Sequence, residues 1–300
     1  MRLQNKVAVI TGGAQGIGRA IALGMGREGA NVVIADLQGE RARSVADEAQ
    51  ALGTEAIAVE VNVASEVSVK RLADQTFEHF GRIDILVNDA GIYLKAPVVS
   101  KPEEDWDRTI DINLGGNFLC ARAFVPAMRK QKSGRIISIA SSIAHTGARE
   151  FADYAASKAA IIGFVRALAR ELGPDGITVN AICPGSANTD MPRRHRSEEE
   201  TMARLRATLL GHILEPDDIA GPILFLASDA AAYITGQAYN INCGTVMIYN
   251  SRRLADGLRR MGHSFLGNRV ANAFSIASWN VEHSKTTRAA SIVRFESPQV

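Results

Sequence analysis

Cysteine is scarce in this sequence, which has only Cys120, Cys183 and Cys243 at widely separated positions. So few scattered thiols exclude a disulfide framework and a cysteine-based zinc site. Free thiols suit a reducing compartment, and we therefore expect a cytoplasmic protein. Because no His, Asp or Glu cluster has the spacing of metal ligands, no bound metal is expected.

Charge of one sign and long apolar runs are lacking as well. The formal net charge is only +2, which argues against a nucleic-acid-binding protein. No apolar run reaches the roughly 18 residues that a membrane-spanning helix needs, because Asp229 interrupts the nearest one at residues 219–236. The first apolar segment is too short for the core of a signal peptide. The sequence thus predicts neither a nucleic-acid partner nor a membrane partner.

The composition is that of an ordinary globular protein, with 46% hydrophobic and 22% charged residues. A chain of 300 residues suits one α/β domain of about 250 residues with an appendage. Residues 1–249 are slightly acidic and residues 250–300 are basic, so we place a domain boundary near Tyr249. The extension is expected to be poorly packed. An arm that packs on a neighbouring subunit and a non-native remnant are the alternatives.

Short apolar segments alternate with longer helical patterns along the chain. The seven predicted strands are Val7–Thr11, Asn31–Asp36, Glu55–Val61, Ile83–Asn88, Arg135–Ala140, Thr178–Cys183 and Gln237–Asn242. Several of these segments are continuous apolar runs, which indicate strands covered on both faces, as in a parallel sheet. The alternation therefore predicts a doubly wound α/β sheet whose ligands bind at the carboxyl ends of the strands.

A glycine-rich turn follows the first predicted strand and contains Gly12, Gly16 and Gly18. Its spacing differs from G-x-G-x-x-G, but glycines at a strand-to-helix turn allow the same close approach to a pyrophosphate. Asp36 ends the second strand, where a carboxylate would accept from a ribose 2′-hydroxyl and repel a 2′-phosphate. This arrangement predicts NAD as the cofactor. A tight turn with no ligand is the alternative.

Tyr154 and Lys158 are one helical turn apart, so their side chains share a face of the predicted helix. A cation beside a tyrosine favours the tyrosinate, and we expect Lys158 to lower the pKa of Tyr154. Such a tyrosine can exchange a proton with an alcohol or a carbonyl. Ser141 follows a predicted strand at the ligand edge, where its hydroxyl would hold the substrate oxygen. Taken alone, however, the Tyr–Lys pair is more often an exposed helix face.

With Asn88-Asp-Ala-Gly91, Asn113 and Pro184-Gly185, these motifs resemble the short-chain dehydrogenase/reductase family over about residues 3–248. The resemblance implies a seven-stranded Rossmann fold and hydride transfer with a nicotinamide cofactor. It also implies the roles of the catalytic residues: Tyr154 as general acid/base, Lys158 on the ribose, Ser141 on the substrate oxygen and Asn113 on a relay water. It implies a cofactor site formed by Gly12, Gln15, Gly16, Ile17, Gly18, Asp36, Asn62, Val63, Asn88, Ala90, Gly91, Tyr154, Lys158, Pro184, Gly185 and Thr189.

The sequence departs from the pattern of the family in three motifs. Asp89 replaces the second Asn of Asn-Asn-Ala-Gly, and a carboxylate cannot donate, so one structural hydrogen bond must be remade. Asn62 stands where an Asp usually accepts from the adenine amino group, although its amide oxygen can also accept. The usual Asp-Gly-Gly near the end of the domain is Asn242-Cys243-Gly244. These departures affect the expected geometry of the cofactor site and of the end of the domain.

The substrate side is expected to include the loop at residues 143–150, with His145, and the segment after Thr189. The basic run Arg193–Arg196 in that segment is either a site for an anionic substrate or part of a solvated lid helix, which we favour. We expect a small-molecule alcohol or carbonyl substrate and favour NAD-dependent reaction of a secondary alcohol or ketone. A 3-oxoacyl-thioester reductase and a non-catalytic NAD-binding regulator are the alternatives.

The helix predicted over residues 154–172 is apolar nearly all round and carries small residues, which indicates burial on both sides. One side would pack on the sheet, and the other needs a partner. By resemblance, that partner is the same helix and its neighbour, residues 115–131, in another subunit. We therefore expect a homotetramer, with a dimer as the second choice.

Overall fold

The computed structural model describes residues 1–189 and 197–247, and the contacts group Met1–Val246 as one compact unit. The predicted extension at residues 250–300 lies outside the described residues, and so does the basic run Arg193–Arg196. Within the described part, no helix combines the length and hydropathy that a membrane span requires.

All seven predicted strands are present, with bounds that differ from the predicted ones by at most two residues. They are β1 (Val7–Thr11), β2 (Asn31–Asp36), β3 (Ala56–Glu60), β4 (Ile85–Asn88), β5 (Gly134–Ile139), β6 (Ile177–Pro184) and β7 (Ala238–Ile241). They form one parallel sheet in the order β3-β2-β1-β4-β5-β6-β7. The strand order reverses between β1 and β4, and such a switch point opens a crevice beyond the carboxyl ends of the strands.

Helices connect the strands and cover both faces of the sheet. In the described residues they are α1 (Gly16–Arg27), α2 (Gly39–Ala51), α3 (Glu66–Phe80), α4 (Glu103–Ile110), α5 (Gly116–Gln131), α6 (Ile143–Thr146), α7 (Ala152–Leu172), α8 (Glu198–Ala207) and α9 (Pro216–Ala227). A π-helical turn, Asp111–Gly115, separates α4 from α5. Extra residues in a helix of this kind often mark a functional site.

Two hydrophobic cores lie on opposite faces of the sheet. Because side chains alternate along a strand, neighbouring residues of β1 enter different cores. Ile10 packs with residues of α1, α2 and α9, whereas Val9 packs with residues of α3, α5 and α7, including the fully buried Phe124. This arrangement confirms the predicted doubly wound fold, and it holds the ends of the central strands rigidly around the crevice.

Candidate cofactor and catalytic site

A cavity of about 530 Å³ lies at the carboxyl ends of the central strands. Most of the predicted site residues line it: Gly12, Gln15, Gly16, Ile17, Asp36, Asn62, Val63, Ala90, Gly91, Ser141, Tyr154, Lys158, Pro184, Gly185 and Thr189. Gly18, Asn88 and Asn113 are not among the lining residues. The fold thus brings the predicted cofactor and catalytic residues to one continuous site.

The glycine turn between β1 and α1 requires glycine at two positions. Gly12 has a φ of +70°, and a Cβ there would stand 2.9 Å from the backbone of Ala90. Gly16 has a φ of +54°, which side chains disfavour, and it borders the cavity beside Thr189. Gly18 does not line the cavity. It packs against the carbonyl of Gly12 within the same turn. The bare backbone at the start of α1 fits a pyrophosphate group.

Asp36 lies at the end of β2 with only 8% of its surface exposed. One carboxylate oxygen accepts from the backbone N–H of Ala14 at 3.1 Å and the other from that of Gln38 at 2.9 Å. These bonds orient the carboxylate, which keeps further acceptor capacity on the cavity side. Arg41 donates to the Oε1 atom of Gln15 at 2.9 Å, so a guanidinium lies beside the glycine turn.

Asn62 and Asn242, two of the departures, both use their side-chain oxygen to close a local turn. Asn62 Oδ1 accepts from the backbone of Ala64, and Asn242 Oδ1 accepts from the backbone of Gly244, each at 3.0 Å. The Asn62 oxygen therefore has one acceptor site left for the predicted adenine contact. Cys243 follows with a φ of +53°, the left-handed region that favours glycine.

Asn88, predicted to line the adenosine side, is not among the residues that line the cavity, so its contact with a cofactor stays a prediction. It is the last residue of β4 and is only 3% exposed. Its side chain points to the face covered by α5, because Leu86, two residues earlier, packs on that face. Neither of its side-chain polar atoms has a hydrogen-bond partner, and the same holds for Ser138, its register partner on β5.

Ser141, Tyr154 and Lys158 meet at the other end of the cavity. Ser141 follows β5, and its side chain hydrogen-bonds the hydroxyl of Tyr154. Tyr154 and Lys158 project from the same face of α7, with the Lys158 Nζ atom 5.6 Å from the centre of the tyrosine ring. Lys158 also donates to the backbone carbonyl of Ile139 at 2.6 Å, which fixes the ammonium at the end of β5.

The expected lowering of the Tyr154 pKa is not found. Burial raises the pKa of Tyr154 to about 12, and the hydrogen bond from Ser141 only partly opposes this effect. Burial also lowers the pKa of Lys158 to about 8, since the low-dielectric site disfavours each charged form. The sequence indicated which charges meet but not how thoroughly the fold shields them from water. The positive ring of an oxidised nicotinamide cofactor would act in the opposite direction and lower the pKa of Tyr154.

Asp89, the residue that replaces an Asn, lies close to this pair. Its carboxylate accepts from the backbone N–H of Gly18. Burial raises the pKa of Asp89 to about 7, and the positive charge of Lys158 opposes that rise. In turn the Asp89 carboxylate raises the pKa of Lys158, against the larger effect of burial. The substitution therefore adds a titratable counter-charge beside the lysine.

Asn113 is fully buried in the π-helical turn and holds the loop after β4. Its side chain accepts from the backbone N–H of Ile92 at 2.8 Å and donates to the carbonyl of Ile92 at 2.9 Å. The side chain also donates to Ser157 on α7 at 3.0 Å, and the backbone carbonyl of Asn113 accepts from the side chain of Asn117 at 2.7 Å. These bonds tie the loop to α7, and the relay water that the resemblance implies stays a prediction.

Sequence reasoning missed an aromatic wall beside the catalytic tyrosine. The ring of Tyr93 lies 5.7 Å from that of Tyr154 and 5.2 Å from that of Phe151, in edge-on arrangements. Both new residues line the cavity. Their proximity to Gly91 and Tyr154 in the sequence was the available signal. In the predicted substrate loop, Ile143 lines the cavity and His145 does not, while burial lowers the pKa of His145.

Arg204 and Glu200 of α8 also line the cavity, and both were missed. They lie in the part of the predicted lid segment that the structure describes, from residue 197 onward. Arg204 donates to Ser186 at 3.2 Å, which connects α8 with the loop after β6. Across the described ranges, no group of three His, Cys, Asp or Glu side chains is arranged to hold a metal.

Most of this chain is similar in sequence to known proteins. The family model described as enoyl-(acyl carrier protein) reductase matches residues 12–246. The 3-oxoacyl-[acyl-carrier-protein] reductase of Synechocystis sp. is 44% identical over 247 residues, which cover 82% of this chain and 98% of that protein. A (2S)-[(R)-hydroxy(phenyl)methyl]succinyl-CoA dehydrogenase subunit of Thauera aromatica is 41% identical, with 81% and 97% covered.

A solved structure is similar to this chain over nearly the same residues. The structure of a 7α-hydroxysteroid dehydrogenase in complex with NADH and 7-oxo glycochenodeoxycholic acid superimposes with a TM-score of 0.80. It is 36% identical in sequence, and the match covers 83% of this chain and 97% of that one. The similarity therefore extends over the sheet, the glycine turn and the helix that carries Tyr154.

Proposed function

Because this chain belongs to the short-chain dehydrogenase/reductase family and is a nicotinamide-dependent oxidoreductase, we propose that it catalyses NAD-linked interconversion of a secondary alcohol and a ketone. One observation carries the proposal: Ser141, Tyr154 and Lys158 meet in the same cavity as the glycine turn and Asp36. A cofactor with its pyrophosphate at the turn and its ribose at Asp36 would extend toward the catalytic tyrosine.

The proposed mechanism assigns one task to each catalytic side chain. Ser141 holds the substrate oxygen through the hydroxyl that now contacts Tyr154. Tyr154 removes the alcohol proton during oxidation and returns it to the carbonyl oxygen during reduction. Lys158 binds the ribose and, as an ammonium, stabilises the tyrosinate. Asn113 fixes the loop opposite these residues and, by our prediction, holds a relay water. A nicotinamide cofactor bound in this cavity would supply or accept the hydride.

We propose that NAD is preferred over NADP. Asp36 presents a carboxylate that is oriented by two backbone N–H groups at the adenosine end of the cavity. A ribose hydroxyl can donate to it, whereas a 2′-phosphate would meet a charge of the same sign. The Arg41 guanidinium beside Gln15 offsets part of that repulsion, so we expect a strong but not absolute preference.

The substrate class is proposed from the relatives and from the aromatic wall. Two relatives act, by their names, on acyl groups carried as thioesters, and the solved neighbour holds an oxo-steroid. Tyr93 and Phe151 offer an apolar surface next to Tyr154, which suits the carbon chain or ring that flanks a carbonyl. Thioesters of 3-oxoacids are therefore the second candidate within the same chemistry.

The experiment is a substrate panel read by the change in NADH absorbance. It includes acetoacetyl-CoA, a cyclic ketone and a 7-oxo bile acid, each with NADH and with NADPH. Turnover of at least one ketone with NADH supports the proposal. NADH binding without turnover of any panel member or of the matching alcohols would instead support a non-catalytic regulator.

We further propose a cytoplasmic homotetramer, with a dimer as the second choice. The outward side of α7 carries exposed Ala156 and Ala159, and Phe118 on α5 is 47% exposed in the single chain. Small residues permit close helix packing, and an exposed aromatic residue is a common interface anchor. Light scattering on the purified chain tests the proposed assembly, and a monomer would contradict it.

A further inference from the structure

A buried ion pair lies directly beside the catalytic helix and plays no part in the mechanism above. The Lys101 Nζ atom is 2.8 Å from the Asp153 Oδ2 atom, and the side chains are 3% and 0% exposed. Asp153 immediately precedes Tyr154 in the first turn of α7. Lys101 lies near the end of the loop at residues 89–102, which carries Ile92 and Tyr93 along the cavity.

This pair connects three elements. Lys101 also donates to the carbonyl of Leu94, so it folds its own loop back on itself. Thr109 of α4 donates to the same carboxylate oxygen of Asp153 at 2.9 Å. The loop after β4, helix α4 and the start of α7 therefore meet at one carboxylate, one residue away from the tyrosine.

A buried ion pair is a costly way to stabilise a fold. Removing two charges from water carries a penalty that apolar side chains of similar size would avoid. The Asp153 Oδ1 atom is buried without a hydrogen-bond partner, so the pair is not even fully satisfied. Its advantage is directional, because two hydrogen bonds and a charge fix a helix end more exactly than apolar packing does.

The neighbouring contacts act on the same two segments. The backbone N–H of Ala96 donates to the carbonyl of Glu150 at 3.0 Å, just before α7. Asn113 holds Ile92 on one side and Ser157 on the other. The Tyr93 ring contacts Tyr154 directly. Displacement of the loop would therefore move both the wall of the pocket and the tyrosine hydroxyl.

We propose that Lys101 and Asp153 form a positioning pair that sets the Tyr154 hydroxyl and the Tyr93 wall in the geometry needed for proton transfer. The inference rests on the proposed function, because it acts through Tyr154. A shift of about 1 Å in a reacting group can reduce a rate about 100-fold. Loss of the pair should thus lower kcat while KM for NAD, which is bound mainly at the far end of the cavity, changes little.

The test uses the full chain and the double variant Lys101→Met/Asp153→Asn, which leaves no unpaired charge. We expect kcat to fall at least about tenfold, with KM for NAD within about threefold of the unmodified protein. The matched control is Lys132→Met, which removes an exposed pair with Asp175 beyond the other end of α7. That control should keep its kcat. If the double variant does not fold by circular dichroism, Thr109→Val takes its place, because it removes only the hydrogen bond from α4 to Asp153 and should lower kcat in the same direction.

A mutant cycle with Tyr154→Phe separates positioning from general damage. If the pair acts through Tyr154, its removal should cost little further rate once the tyrosine hydroxyl is gone. An equal loss of kcat in both backgrounds, or an unchanged kcat in the double variant, would overturn the inference. An unmodified protein that turns over no panel substrate would refute the proposed function instead, so the two failures are distinguishable.

Discussion

The adenosine end of the cavity and its catalytic end are built from different kinds of contact. At the adenosine end, the turn from β1 to α1 and the end of β2 present backbone groups, and Asp36 is held by two backbone N–H groups. At the catalytic end, side chains from the loop after β4, the π-helical turn, β5 and α7 hold one another. Ligand recognition at the first end thus depends on local chain geometry, and chemistry at the second depends on long-range packing.

At the catalytic end, burial shifts the pKa values of two neighbouring groups. Around Tyr154 burial raises the pKa of the phenol to about 12 and lowers the pKa of Lys158 to about 8. Enclosure therefore favours the neutral form of both groups. A positive charge brought to this end would favour the tyrosinate, which couples proton transfer to cofactor binding.

The largest effect is expected at the catalytic end. Tyr154→Phe removes the proton donor and should lower kcat about 10²–10⁴-fold, while NADH binding, followed by fluorescence titration, stays nearly unchanged. Tyr233→Phe is the control, because that side chain is fully exposed and lies outside the cavity. Turnover of the Tyr154→Phe protein within tenfold of the unmodified one would contradict the assignment.

At the adenosine end we expect NAD to be favoured over NADP by at least about 100-fold in kcat/KM, or roughly 2.7 kcal/mol. Asp36→Ala should reduce that ratio, mainly by weakening the use of NAD, because a charge-assisted hydrogen bond is lost. Glu60→Ala is the control, since Glu60 pairs with Asp36 in register on β3 but does not line the cavity. Equal use of the two cofactors by the unmodified protein would show that Asp36 does not face the ribose.

A smaller effect is expected in the pH dependence of the catalytic end. Asp89→Asn removes the carboxylate that raises the pKa of Lys158, so this pKa should fall further below its present value of about 8. The ammonium is lost as the pH rises through the pKa, and the alkaline limb of the kcat/KM profile should move to lower pH. The exposed control Asp74→Asn should leave the profile unchanged. A limb that stays in place or moves to higher pH would count against the role of Asp89.

The smallest effect is expected away from both ends, at Cys243. Its φ of +53° costs roughly 1 kcal/mol for a residue with a Cβ, and glycine relieves this cost but gains entropy in the unfolded chain. Cys243→Gly should therefore raise the free energy of unfolding by about 0.5 kcal/mol in urea denaturation. Cys243→Ala keeps the Cβ and should give no gain. A loss of stability with glycine would show that the thiol packing outweighs the strain.

The same contrast explains what the sequence could predict. The seven strands, the glycine turn and the end of β2 depend on local patterns, and their positions were predicted to within two residues. Tyr154 and Lys158 share a face because helix geometry requires it. The strand motif alone did not indicate that the Asn88 side chain would lie on the face of the sheet that α5 covers.

Long-range contacts left no signal in the sequence. Lys101 and Asp153 are far apart in the chain, and nothing in the composition of either segment indicates that they pair. The wall formed by Tyr93 and the pKa of Tyr154 depend on how closely the loop after β4 packs on α7. The sequence thus indicated the catalytic groups, and the fold determined their surroundings.

Hydride transfer from the nicotinamide ring to a ketone is the central claim, and isotope transfer tests it most directly. The full chain would be supplied with a ketone from the panel and with NADH deuterated at the transferable position of its ring. Mass spectrometry of the alcohol product then locates the label. We predict deuterium on the carbinol carbon, and no labelled alcohol from the Tyr154→Phe protein in the same time. An alcohol product without deuterium on that carbon would contradict the claim.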